Sequence, residues 1–148
     1  MATVTGKLPE TSRSLPIALI RAREGVMAPI RAMLAKSNIT EQQWRVLRVL
    51  AEYGPMDTTT LAHRSSLLHP SLTRIAASMR EKGLITQVRD NDDRRRQVVT
   101  ITPGGQRIIT ENMDDAVQIV DSFKRKLGEA DYEALLDLLE RLDPDPAI

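Results

Sequence analysis

The sequence contains no cysteine among its 148 residues. That removes disulfides, thiolate zinc sites and thiol redox sensing together. Histidine is nearly as scarce: His63 and His69 are the only two, too few for a typical transition-metal site. Aromatic residues make up 3% of the chain, namely Trp44, Tyr53, Phe123 and Tyr132. A stacking platform for single-stranded nucleic acid needs several exposed rings, so that mode is disfavoured. No apolar run reaches the roughly 18 residues of a membrane span, and the start, MATVTGKLPETSRS, has no apolar h-region. These absences predict a cytoplasmic protein with no membrane partner, no metal and no cofactor.

Charge is plentiful, at 28% of residues, but nearly balanced, with a net charge of +1. The balance hides an asymmetry. Residues 1–56 carry eight Lys/Arg against four Asp/Glu, and residues 57–110 carry nine against five. Residues 111–148 carry four against eleven. A basic middle joined to an acidic tail suits one surface for a polyanion and another that avoids it. Solvated helix faces explain the charge pattern alone about equally well.

Residues 1–13 are polar and aperiodic and are expected to be flexible. From Ser14, a possible cap, Leu15, Leu19, Ala22, Val26, Ile30 and Met33 form one helical apolar stripe. Pro29 is expected to kink or interrupt it. Thr40 and Gln43 make a Thr-x-x-Gln capping box for a second helix, which Gly54-Pro55 ends. Met56-Asp57 opens a short third helix with Asp57 as cap. A fourth begins near His69-Pro70, has the inner stripe Leu72, Ile75, Ala76 and Met79, and stops at Gly83. The period then changes to two: Leu84–Arg89 and Gln97–Ile101 read as strands around a polar tip, residues 90–96. Thr102-Pro103 opens a long helix striped by Ile109, Met113, Ala116, Val117, Val120 and Phe123. After Gly128 a last helix carries Tyr132, Leu135, Leu139 and Leu142.

That order predicts a mainly α fold with a small β-hairpin wing, a winged helix-turn-helix. Residues 37–102 form the winged unit, and residues 14–36 and 103–148 supply helices too long to bury their apolar stripes on it. Homodimerisation through those helices is the expected remedy. An α-helix fits the DNA major groove, and a basic hairpin beside it reaches the next minor groove.

Three stretches resemble the MarR-type (multiple antibiotic resistance) regulators: TEQQWRVLRVL from Thr40, LHPSLTRIAASMREKGLI from Leu68, and DDRRRQVVTITPGG from Asp92. The resemblance runs from about Leu15 to Leu142. SLPIALIRAREGVM followed by TEQQWR is also similar to the subgroup that represses aromatic-acid catabolism, such as homoprotocatechuate or hydroxycinnamate degradation. It implies a repressor that leaves a palindromic, double-stranded operator when a small aromatic carboxylate binds.

Candidate DNA contacts are Ser71, Arg74 and Ser78, opposite the inner stripe of the fourth helix, with His69 and Thr73 at the rim. Hydroxyls meet phosphates or base edges and arginine forks onto guanine. In the wing, the resemblance makes Asp93 and Arg95 an Asp-x-Arg pair, the acid positioning the arginine. Arg94 or Arg95 would enter the minor groove, and Arg96 adds charge. The plainer reading is a charged tip protecting a sheet edge. For the effector, Arg21 and Arg23 lie on an otherwise apolar helix, where a guanidinium suits a carboxylate. Met27, Gln43 and Trp44 are the candidate wall. Arg21 could instead pair with Glu24, and Trp44 could be core.

Two other function classes compete. A winged helix can serve protein–protein contact without specific DNA binding; only duplex binding falls steeply with salt. Ser65 or Ser66 with His63 or His69 could suggest a small hydrolase, but no nucleophile elbow is present, so the chain reads as a non-enzyme.

Overall fold

The computed structural model describes residues 6–146. Of the N-terminal segment expected to be flexible, residues 1–5 lie outside the described residues. Thr11–Arg13 is ordered, as a 3-10 turn at the head of helix α1 (Leu15–Ala35). Ser14 occupies the N-cap position, although its side chain makes no capping bond. Pro29 sits inside an unbroken α1, so of the expected kink or interruption the interruption does not occur. A helical proline presses on the carbonyl four residues back. Here that residue is Gly25.

Asn38, with φ of 53°, turns the chain into α2 (Glu41–Tyr53). The capping box forms fully: Thr40 Oγ1 accepts from the Gln43 N–H, and Gln43 Oε1 accepts from the Thr40 N–H, both at 3.1 Å. Gly54 closes the helix with φ of 84°.

Met56–Asp57 is not the first turn of a helix. It is a short strand, β1, pairing Met56 with Val99 and Asp57 with Val98. The next helix, α3, is Thr58–Arg64, and Asp57 does cap it, accepting from the Thr60 N–H at 2.7 Å. Helix α4 (His69–Glu81) leads through Gly83 into β2 (Ile85–Arg89) and β3 (Gln97–Ile101). The expected hairpin is therefore two-thirds of a three-stranded antiparallel sheet, ordered β1-β3-β2. β1 satisfies the second edge of β3, whose Val99 is fully buried.

Helix α5 (Pro103–Leu127) springs from the sheet, with Thr102 Oγ1 accepting from the Gly105 N–H. Helix α6 (Glu129–Leu142) folds back after Gly128. The core gathers Leu34, Val46, Leu47, Leu50, Leu61, Leu72, Met79, Ile85 and Val99, almost all from α2 to β3. Beyond Asn112 the long helices bury little. Met113, Val117, Val120, Leu135, Leu136, Leu138, Leu139 and Leu142 are all exposed, and no residue of α6 is buried.

Candidate nucleic-acid and ligand interfaces

The α3–turn–α4 unit sits on the core through Leu61, Ala62, Leu72, Ala76 and Met79. That burial dictates which side of α4 faces outward. His69, Thr73 and Arg74 are exposed and Ser71 is half-buried. Thr73 spends its hydroxyl proton on the His69 carbonyl one turn back, which leaves it only as an acceptor. Ser78 departs from its expected place on the open face. It is half-buried and accepts from Gln43 Nε2 at 3.3 Å. Ser71, Arg74 and Ser78 line one shallow groove together with Thr40, Gln42 and Arg45. The N-terminal end of α2 therefore shares this face with α4.

The wing tip is closed by its own backbone. The Asp90 N–H donates to the Arg96 carbonyl and the Arg96 N–H to the Asp93 carbonyl. Asp93 Oδ1 accepts from the Arg95 N–H at 3.0 Å and lies 3.6 Å from Arg95 Nε. The acid thus pins the backbone under Arg95, while the side chain stays 95% exposed. Arg94 is likewise exposed. Arg96 behaves differently: its guanidinium pairs with Asp57 at 2.9 Å and ties the wing to the cap of α3. The Asp57 carboxyl is held below the usual carboxylate range. The Thr60 N–H does most of this, against the opposing effect of burial, and Arg96 adds to it.

On the opposite side, Trp44 is 7% exposed and belongs to the core, yet it also borders two clefts. One, about 380 Å³, lies between α1, α2 and the α3–α4 turn, with Met27, Ile30, Glu41, Arg45 and Ser65 in its wall. The other, about 330 Å³, lies between α2 and α5, against Met113, Ala116, Val117 and Val120. Both volumes suit a small-molecule site, and Arg48 borders both. Met27 and Trp44 therefore meet as expected. Gln43 does not join them: 4% exposed, it points the other way, toward Ser78 and Lys82. Neither Arg21 nor Arg23 lines the Trp44 clefts within one chain. Arg23 pairs with Glu41 at 2.9 Å, and Arg21 is exposed. Arg48 was missed because a lone arginine on a helix reads as solvated surface. Its position three to four residues after Trp44 and Arg45 was the available signal.

Among the described residues no group of three or more His, Asp or Glu could hold a metal ion. Among the described residues no helix is long and apolar enough to cross a membrane.

The MarR family's sequence profile matches residues 39–96, from the turn before α2 to the tip of the wing. The homoprotocatechuate degradative operon repressor of Escherichia coli is 35% identical over 86% of this chain and 86% of its own. The chain belongs to the MarR family. It is a winged helix-turn-helix transcriptional regulator, and its relatives are named regulators and repressors rather than enzymes. Solved MarR-fold structures extend the likeness. NadR in complex with 4-hydroxyphenylacetate superposes with a TM-score of 0.77 at 34% identity, covering 96% of this chain and 97% of NadR. CouR, a repressor bound to a 23-mer DNA duplex, gives 0.82 at 26% identity, covering 92% and 96%.

Proposed function

We propose that this MarR regulator is a homodimeric repressor that grips an inverted-repeat operator and releases it when a small aromatic carboxylate binds beside Trp44. The observation that carries the reading is the pairing of Trp44 with Arg48 at the junction of α1, α2 and α5, where a ring and a free guanidinium border clefts of small-molecule size. Among the described residues Arg48 makes no ion pair, whereas Arg23 already holds Glu41. Arg48 is therefore the better fork for a carboxylate, and Arg23 acts at the rim. The relatives named for homoprotocatechuate breakdown and for 4-hydroxyphenylacetate support that ligand class.

Residues 14–36 and 103–148 form the dimer, and residues 37–102 hold DNA. Ser71, Arg74 and Thr73 meet the major groove, and Arg94 and Arg95 meet the minor groove. Each protomer reads one half-site, with the two about 10 bp apart. The test is a duplex selected from random sequence by the purified protein, followed by titration with 4-hydroxyphenylacetate and related acids. Tight binding that falls steeply with salt and is lost on adding an acid is expected. Binding indifferent to salt, or a complex untouched by every aromatic acid tried, overturns the reading.

A further inference from the structure

One chain of polar contacts links α1 to the start of the recognition helix. Arg23 on α1 pairs with Glu41 at 2.9 Å. Glu41 in turn lies 3.0 Å from Arg45 Nε. Arg45 Nη1 then donates to the Ser65 carbonyl at 2.9 Å and to the Ser66 carbonyl at 3.2 Å. Those two residues are the whole turn between α3 and the Leu67-Leu68 lead into α4. Ser66 holds φ at 54°, a conformation side chains rarely keep unless neighbours enforce it. The turn's own buried side chain does not enforce it, because Ser65, 2% exposed, leaves its hydroxyl without a partner. Arg45 Nη2 also donates to Glu41 Oε1 at 3.4 Å, whereas its buried Nε–H, 3.0 Å from Glu41 Oε2, is not aligned for a hydrogen bond. Glu41, Arg45, Ser65 and Ser66 all line the Trp44 cleft.

We infer that Arg45 is the positioning residue that converts occupancy of this cleft into movement of the recognition helix. The inference rests on the effector reading above and names how that site is read out. A carboxylate held by Arg48 in the cleft competes with Glu41 for the neighbouring Arg45 guanidinium, whose Nε and Nη2 lie 3.0 and 3.4 Å from the Glu41 oxygens. Turning toward the acid draws Nη1 off the two carbonyls. The strained turn then relaxes, and Leu68-His69, where α4 begins, loses its fixed position. The two recognition helices of a dimer must match a fixed half-site separation, so a small displacement of each is enough to weaken the operator. The acid acts only through its differential affinity for the gripped and released turns.

The test uses Arg45→Lys, which keeps the charge but not the fork, and Arg45→Met, which keeps only the stem. Trp44 is the only tryptophan, so its fluorescence shows when each protein is saturated with 4-hydroxyphenylacetate. Operator affinity is then compared with and without saturating acid, a ratio independent of how tightly each variant binds the acid. Wild type is expected to lose about tenfold or more, and both variants less than about threefold. Hydrogen exchange at the amides of residues 65–69 gives a second readout that survives loss of DNA binding. The acid should speed it in wild type, whereas in Arg45→Met it should already be fast and respond no further. A full wild-type ratio in both variants, or turn amides that ignore the acid in wild type, overturns the role of Arg45 and leaves the effector reading standing. A wild-type Trp44 signal unmoved by every aromatic acid overturns both.

Discussion

At the residue scale, Asp57 carries more than its expected capping duty. It caps α3, sits in β1 and receives Arg96 from the wing. Its ionised form is favoured in the folded chain, so its folded pKa lies below the unfolded one. Such a group adds stability above the unfolded pKa, about 4 for an aspartate, and loses it as pH falls through the lower folded value. Asp57→Asn keeps a capping oxygen but removes the charge. It should cost on the order of 1 kcal/mol at pH 7, discounted because the pair is partly exposed. The gap to wild type should close as pH drops below about 4 in urea melts followed by circular dichroism. A gap unchanged between pH 7 and pH 3 would show that the charge does not matter.

At the element scale, the joint between sheet and α5 depends on a missing side chain. A Cβ on Gly105 would stand 2.4 Å from the Leu84 carbonyl oxygen and 2.7 Å from Ile101 Cγ1. The backbone cannot yield there, because the Thr102 N–H already donates to that same carbonyl at 3.1 Å. Gly105→Ala should destabilise by about 1–3 kcal/mol, the usual range for overpacking, and a melting point equal to wild type would contradict the close approach. The wing and α4 are expected to separate by role. Arg95→Ala or Arg94→Ala should weaken operator binding and lower the salt slope by about one unit per lost phosphate contact. Arg74→Ala should relax sequence preference at about 1–3 kcal/mol if it forks onto a guanine. Arg96→Ala should instead act mainly through stability, since its guanidinium is engaged by Asp57. Electrophoretic titrations across salt distinguish the three; identical behaviour of all would remove the distinction.

At the scale of the whole molecule, the apolar surface points to a second copy. Leu135, Leu138, Leu139 and Leu142 on α6 are exposed, and so are Met113, Val117 and Val120 on α5 and Leu15 and Leu19 on α1. So many large apolar side chains exposed on three helices are uncommon on a monomer. The acidic tail helices lie on that side, leaving the net-positive winged unit free for phosphates. The double substitution Leu135→Glu with Leu139→Glu should give a folded monomer by sedimentation equilibrium, with operator affinity reduced by orders of magnitude because two half-sites are no longer read together. A double variant that remains dimeric would place the interface elsewhere.

The sequence by itself determined the helices, the wing and the family. Capping at Thr40, Asp57 and Thr102, the stops at Gly54 and Gly83, and apolar stripes are local effects, carried within a few residues of chain. It also marked Arg94 and Arg95 as wing-tip charges, since a polar tip between two strands has nowhere else to point. Tertiary structure alone decided which polar residues are spent internally. Met56–Asp57 is a strand only because β3, forty residues on, has an open edge for it. Arg96 is drawn to Asp57, and Ser78 to Gln43, by neighbours 39 and 35 positions away. Gln43 and Trp44 are adjacent in sequence, yet one hydrogen-bonds Ser78 on α4 and the other borders two clefts on α1 and α5. A helix turns about 100° per residue, so consecutive side chains face different neighbours, and only packing of α2 against α4 on one side and α1 and α5 on the other says which neighbours those are.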